Sequence, residues 1–388
     1  MLADVAIVGG GPIGLAAARA SSEAGAQTVV FERKPQAAAP SCCTGLVSPR
    51  TLPTLRVSDS SALREIRALR IHLPSGKRIE LRSAETKAIV IDRRRLEAEL
   101  LLRARKAEVN VSFESEVLAA SDGSLAVRSN SENQSVHARV IVGADGPHSR
   151  VAQWFSLDQP SVFVSAIQTT LDTTTPVPDC VDVFVGEAVA PGFFGWSVPA
   201  EDGNLRVGVG VLPPHGPAVY LDRLLAKHYP NARVRSRTAG WIPIAPAPLS
   251  TTTGALLVGD AAGHVKPLSG GGLYTGGLCA QFAGETAAKA ALAHEGRHDL
   301  LTTYPKRCSD AIGRELAFGH SIRHYLSRLR DEDIEAAAAT LDAPQFLQFL
   351  ADRADIDFFH QLPDQLASEP SLWTTVLRII PLLGSVPG

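Results

Sequence analysis

The sequence predicts an α/β protein made of a strand-turn-helix nucleotide-binding domain, an inserted antiparallel-sheet domain and a C-terminal helical region. Three observations predict it. An apolar strand at residues 5–8 runs straight into Gly9-Gly10-Gly11-Pro12-Ile13-Gly14. A second glycine-rich segment, Gly259-Asp260-Ala261-Ala262-Gly263, follows a short apolar strand far downstream. Between them the texture changes to alternating Val, Thr and Phe with frequent Pro and Gly, the pattern of antiparallel sheet. The expected organisation is a discontinuous Rossmann-like domain over residues 1–160 and 241–300, the insertion over 161–240 and helices over 301–388.

In the first element, Gly9, Gly11 and Gly14 form G-x-G-x-x-G ahead of a helix at residues 15–24. The glycines permit a tight turn, close approach of backbone N–H groups to a pyrophosphate, and close packing of helix on strand. The helix N-terminus then faces the anion. The next strand, residues 28–31, ends in Glu32, at the offset of about 20 residues expected for an acidic ribose ligand. Arg33 beside it is either a cofactor contact or a surface arginine. Downstream, Gly259, Asp260, Pro267 and Gly270-Gly271-Gly272 precede a helix at residues 273–291, where Gly277, Ala280, Gly284 and Ala287 share one side. Paired with the N-terminal fingerprint, this second segment points to FAD rather than merely to a dinucleotide.

Residues 93–107 carry helical spacing at Leu96, Leu100 and Leu101, followed by a strand at 109–113. Arg93 opens this helix, either as a cofactor contact or, with Arg94 and Arg95, as plain charged surface. A strand at 137–142 runs into Gly143-Ala144-Asp145-Gly146 and a short helix bearing Val151 and Trp154. Asp145 reads equally as a cofactor residue and as a helix cap or turn residue. In the insertion, Glu201-Asp202-Gly203-Asn204 is a hairpin turn. Leu205, Val207, Val209 and Val211 then share one face. Gly208 and Gly210 fall on the other, where missing side chains admit a backbone, a flat ring or a chain ligand.

Composition excludes several classes. With 388 residues, 45% hydrophobic composition and a formal net charge of −2, the chain is expected to be globular, with no basic footprint for nucleic acid. Cys42, Cys43, Cys180, Cys279 and Cys308 lack the spacing of a zinc site or a disulfide framework, so neither is expected. No run reaches the ~18 apolar residues of a membrane span, and the first strand leaves no room for a signal peptide. The expected location is cytoplasmic, with any membrane contact peripheral. An apolar stretch at 373–383, broken at Pro381, either covers a lipid tunnel, touches a membrane surface or packs against the sheet domain.

The three glycine motifs, in this order, resemble the flavoproteins built on the para-hydroxybenzoate hydroxylase plan. That resemblance implies that Asp260 bonds the ribityl or ribose hydroxyls of FAD. It also places Asp145 near the cofactor cleft, and the amides of Gly271, Gly272 and Leu273 at the flavin edge. Within that plan the chain is similar to the geranylgeranyl reductases. Gly263 stands where hydroxylases have histidine, and Gly270-Gly271-Gly272-Leu273 replaces their Gly-Gln-Gly. A cysteine before a small glycine turn matches Cys43-Thr44-Gly45-Leu46 or, in a shifted alignment, Cys42. The family's Tyr-x-Trp-x-Phe-Pro aligns with Phe194-Gly195-Trp196-Ser197-Val198-Pro199, so Phe194 lacks the phenol and Val198 the ring.

The resemblance implies reduction of carbon-carbon double bonds in a polyprenyl group, by hydride from reduced flavin N5 and a proton. Phe193, Phe194, Trp196 and Tyr274 are expected to line an apolar slot, with Cys43 and Trp196 as the catalytic candidates. Two bland readings stand beside these: Trp196 as the hairpin's core anchor, and Cys43 as a small buried apolar residue. His264 is expected beside the flavin loop as a structural or phosphate-facing residue, and Lys266 as equally well solvated. The electron donor stays open between NAD(P)H and a ferredoxin or other redox partner. The substrate is an isoprenoid lipid or a prenylated small molecule. An aromatic monooxygenase and a noncatalytic flavin-containing lipid carrier are the rival functions.

Overall fold

The computed structural model describes residues 2–36, 43–121, 123–130, 132–201, 203–247, 251–252 and 254–372. Its first sheet has seven strands. Leu2–Val8 is central, parallel to Thr28–Phe31 on one side and to the C-terminal half of Glu132–Gly143 on the other. Asn110–Ser112 and Ala255–Leu257 add parallel strands at either flank, while Ser115–Ser121 and Ser124–Ser129 join antiparallel. The long strand shows both regimes. Glu132 to Ser135 are exposed along the antiparallel ribbon, and Val140 to Gly143 are buried between parallel neighbours.

Helices Pro12–Glu23, Arg93–Lys106 and Leu273–Leu292 cover one face of this sheet, where Val5, Ile7, Val30, Val140 and Val142 meet Leu96, Leu100 and Leu101. Each such side chain stabilises the fold by roughly 1.5–3 kcal/mol when fully buried. The small side of Leu273–Leu292 works as its composition predicts. A Cβ on Gly284 would lie 2.2 Å from the Ala17 carbonyl oxygen, so only glycine lets this helix sit directly on Pro12–Glu23.

The second sheet also has seven strands, in the order Arg233–Pro243, Phe163–Asp172, Asn204–Val211, Gly195–Pro199, Cys180–Phe184, Ala68–His72 and Arg78–Arg82. It is therefore not confined to residues 161–240 as the sequence suggests. Ala68–His72 pairs in parallel with Cys180–Phe184 across more than a hundred residues, a long-range pairing that local alternation does not announce. One face of this sheet carries the predicted Leu205, Val207 and Val209, packed on Leu221, Leu224 and Leu225 of helix Pro217–His228. On the other face, Trp196, Val181 and Ala166 meet Ile66, Ala88 and Val90. The last three belong to a small three-stranded sheet of Leu46–Val47, Ala62–Ile66 and Ala88–Ile91.

After residue 300 the described chain is helical, as expected, with Arg314–Leu326, Asp331–Leu341 and Pro344–Arg353 as its longer elements. The apolar stretch at 373–383 lies outside the described residues. Among the described residues no helix is long and apolar enough to cross a membrane.

Candidate active site

Gly9, Gly11 and Gly14 build a cradle that side chains would fill. A Cβ on Gly9, whose φ is +107°, would stand 2.3 Å from the Ala144 carbonyl oxygen, and one on Gly14 would stand 1.9 Å from the Gly9 carbonyl oxygen. Gly11, by contrast, has no atom within 4 Å of its Cβ position and caps helix Pro12–Glu23. The turn is thus closed behind and open in front. Glu32 accepts hydrogen bonds from the Gly10 amide at 2.7 Å and the Lys34 amide at 2.9 Å, which fixes its carboxylate beside the cradle. Arg33 is exposed at the same strand end.

Asp145 holds the turn that follows. Its carboxylate accepts from Ser149 Oγ at 2.7 Å and from the Arg150 and Val151 amides at 2.7 and 3.2 Å, while Ser149 is the N-cap of the short helix. Burial pushes its carboxyl above the ordinary range, against those hydrogen bonds.

The downstream glycine segment meets the fingerprint through Ile13, whose Cγ2 lies 3.0 Å from a Cβ position on Gly259. Asp260 follows, with Oδ1 3.2 Å from the Cβ position on Gly272, and burial pushes its carboxyl up to about 6 although Arg93 opposes the rise. Gly272 is the N-cap of the helix that Leu273 opens. The intervening loop is closed by its own amides: Gly270 N–H donates to the Lys266 carbonyl at 2.8 Å, and Lys266 N–H to the Gly271 carbonyl at 3.0 Å.

Lys266 is not solvated. Its ammonium is buried against the Asp357 carboxylate at 2.6 Å and the Ile356 carbonyl at 2.7 Å, so this loop is pinned to the C-terminal region. His264 is wholly buried, and burial drives its imidazole down to about 3, which keeps it neutral. Its Nδ1 accepts from the Gly259 amide at 3.2 Å. The proton therefore sits on Nε2, which is buried without a hydrogen-bond partner among the described residues, and the Cys279 and Cys308 thiols lie close to the ring.

Arg93 differs from its neighbours. Arg94 and Arg95 are exposed, whereas the Arg93 guanidinium is turned inward against Glu97 at 2.5 Å and beside Cys43. Burial works against its charge, but Cys43 and Glu97 outweigh that and hold it above the ordinary arginine range. Its Nε is a buried donor without an acceptor among the described residues. The surface reading of Arg93 fails for that reason.

Cys43 is half-buried in a tight turn in which the Gly45 amide donates to its Sγ at 3.4 Å. Arg206 closes the turn by donating to the Thr44 carbonyl at 2.7 Å and the Ile91 carbonyl at 3.0 Å. Gln168 completes it. Its Nε2 donates to the Cys43 carbonyl at 3.3 Å, while its Oε1 accepts from Thr44 Oγ1 at 2.9 Å and Trp196 Nε1 at 3.1 Å. Cys42 lies outside the described residues.

The aromatic residues follow the register of the sheet. Gly208 sits between Gln168 and Trp196 on the adjacent strands, and a Cβ there would lie 2.3 Å from the indole. The flat ring admitted by the bare glycine is thus Trp196 itself. Phe193 fills the corresponding gap at Gly210 and stacks on Phe194 with ring centroids 4.1 Å apart, and Phe194 meets Trp196 edge-on at 6.1 Å. Gly270 of the downstream loop faces Phe193, whose Cζ is 3.4 Å from its Cβ position. Tyr274 has a different ring partner, Phe358, at 5.8 Å.

A family model described as "FAD binding domain" matches residues 2–214. Digeranylgeranylglycerophospholipid reductase 2 of Methanothermobacter thermautotrophicus is 30% identical over 356 residues, covering 87% of this chain and 91% of that protein.

The chain belongs to the digeranylgeranylglycerophospholipid reductase family.

The digeranylgeranylglycerophospholipid reductase of Methanothrix thermoacetophila is 28% identical over 351 residues, 86% of this chain and 90% of its own. The reductase-family fold also matches a solved geranylgeranyl bacteriochlorophyll reductase-like protein of Thermoplasma acidophilum. That structure has a TM-score of 0.82 at 24% identity, covering 93% of this chain and 99% of that one. A p-nitrophenol 4-monooxygenase of Pseudomonas putida follows the same fold, with a TM-score of 0.66 at 17% identity, 91% of this chain and 99% of that one. FAD is the family's cofactor, and the residues fit it. The fingerprint is closed behind and open at Gly11, two helices start at the glycine turns, and Arg93 Nε is a buried donor without an acceptor among the described residues.

Proposed function

We propose that this protein is an FAD-dependent reductase of carbon-carbon double bonds in a polyprenyl, geranylgeranyl-type group carried by a lipid or a prenylated small molecule. One observation carries the reading: the stacked wall of Phe193 and Phe194 is set directly against the downstream glycine loop at Gly270. An apolar chain laid on that wall is held beside the loop at which the family's cofactor is read out.

In this reading Gly9, Gly11 and Gly14 hold the pyrophosphate, and Glu32 with Arg33 the adenosine ribose. Arg93 and Asp260 face the ribityl side, Gly259 and Pro267 shape the turn, and the amides of Gly271, Gly272 and Leu273 line the ring edge. Asp145 shapes the cleft from its turn. Reduced FAD supplies the hydride. Phe193, Phe194, Trp196 and Tyr274 exclude water from the slot and fix the chain, which removes orientational entropy from the reaction.

Cys43 holds the proton at Sγ. When it gives that proton to the alkene carbon, the thiolate left behind is stabilised by the adjacent Arg93 guanidinium and the Gly45 N–H. Gln168, tied to both Cys43 and Trp196, keeps acid and aromatic wall in one frame. The protein works on the cytoplasmic side, in peripheral contact with its lipid, and takes electrons from NAD(P)H or a ferredoxin.

The test is product mass from a prenyl lipid, with reductant, in sealed and in aerated vessels. Reduction gives a gain of two hydrogens per bond in both. A product heavier by one oxygen, formed only in air, would replace this reading by the monooxygenase, and binding without any product by the carrier.

A further inference from the structure

Arg323, on helix Arg314–Leu326 of the C-terminal region, sits in the slot without a counter-ion. Among the described residues no carboxylate faces it, and burial alone lowers its guanidinium to about 10. A buried unpaired cation is costly, and an apolar side chain of similar length would fill the space without that cost. What answers the charge here is a set of dipoles and π faces. Nε donates to the Pro267 carbonyl at 3.1 Å, Nη2 donates to the Leu268 carbonyl, and the guanidinium carbon stands 4.5 Å from the centroid of Phe193 and 5.8 Å from that of Phe194.

The approach is prepared one helical turn earlier. Gly319 lies on the same helix face, and its Cβ position is 3.1 Å from Pro267 Cδ, so the bare backbone lets the helix reach the loop. Because a trans peptide is planar, holding the Pro267 and Leu268 carbonyls toward Arg323 turns the Leu268 and Ser269 N–H groups the opposite way. The cation also polarises those two peptides. One side chain thereby fixes both the orientation of the glycine loop and its spacing from Phe193.

We infer that Arg323 is a positioning residue, which sets the glycine loop of residues 266–272 against the Phe193–Phe194 wall and stabilises the extra negative charge that FAD takes on when reduced. The kinetic half of this inference rests on the proposed reductase reading. The half concerning FAD does not.

The experiment uses full-length holoprotein carrying Arg323→Met, which keeps an unbranched apolar stem and loses the charged head, and Arg323→Lys, which keeps charge and loses the fork and the stack. With FAD content matched to wild type, Arg323→Met is expected to shift the oxidised-to-reduced balance of bound FAD about tenfold toward oxidised, a potential about 30 mV more negative for this two-electron couple. Its kcat on a prenyl lipid should fall about tenfold with KM changed less than threefold, the mark of an interaction made in the transition state. Arg323→Lys should recover the potential and only part of kcat.

A Met variant with wild-type potential and visible spectrum would overturn the inference, whatever its melting temperature. If Arg323→Met does not load FAD, Arg323→Lys decides: wild-type kcat and KM in that variant would overturn it equally. A shifted potential in a protein whose wild type reduces no prenyl lipid would sink the proposed function and leave Arg323 standing.

Discussion

Trp196 donates its indole N–H to Gln168 Oε1 over 3.1 Å, across the bare Cα of Gly208 on the strand between them. The same Gln168 oxygen accepts from Thr44 Oγ1, and its amide nitrogen holds the Cys43 carbonyl. Three segments far apart in sequence meet at one buried amide, which ties the aromatic wall to the cysteine turn.

Replacing Gln168 by Leu removes every tie at once. The Trp196 N–H is left buried without a partner, which costs about 1–3 kcal/mol. The expected outcome is a lower thermal midpoint and a kcat reduced about tenfold or more, with FAD content unchanged because no cofactor cradle residue is touched. Equal kcat in the variant would show that the frame has no part in the reaction.

Gly208→Ala tests the same frame from the other side. The new methyl would lie 2.3 Å from Trp196 and 2.8 Å from the Ile167 carbonyl oxygen, so the indole must leave its seat. Overpacking of this kind costs about 1–3 kcal/mol. Trp196 emission should shift to longer wavelength as the ring gains water, and a spectrum identical to wild type would contradict the packing described.

The fingerprint was legible because its physics is local. Gly9, Gly11 and Gly14 lie within one turn, and Glu32 one strand away, so spacing alone announces their geometry. Trp196 and Phe194 were legible through one contiguous motif that runs from a turn into the strand Gly195–Pro199. Gln168 was not: it stands in a strand that also carries Ser165, Thr170 and Asp172, where one more polar residue reads as solvent-facing, and its partners lie 28 and 124 residues away. Arg206 and Arg323 escaped for the same reason. Lys266 looked like one more surface lysine because its acid, Asp357, is 91 residues off.

Asp260 gives a pH signature. Its carboxyl is raised by burial from an ordinary 3.8 to about 6, so the folded apoprotein binds more protons than the unfolded chain between those values. Stability contributed by this group is therefore present at low pH and lost as pH rises through that window. Apoprotein melting at a series of pH values should show wild type losing ground to Asp260→Asn between about pH 4 and pH 6. Parallel curves across that window would place Asp260 in water.

Cys43→Ala should keep FAD content and lose product formation by about 10²-fold or more, the ordinary contribution of a positioned acid. Product formation at the wild-type rate would return Cys43 to the role of a small apolar residue. Loss of Arg93 by substitution to Met should weaken FAD retention as well as rate, which separates the two neighbours.

The most direct measurement is anaerobic stopped-flow of the dithionite-reduced protein mixed with a geranylgeranylated glycerophospholipid, following the oxidised flavin band and then the mass of the lipid. The account predicts return of the band without oxygen, with two hydrogens gained per turnover. A flavin that stays reduced until oxygen is admitted, with the lipid unchanged, would contradict it.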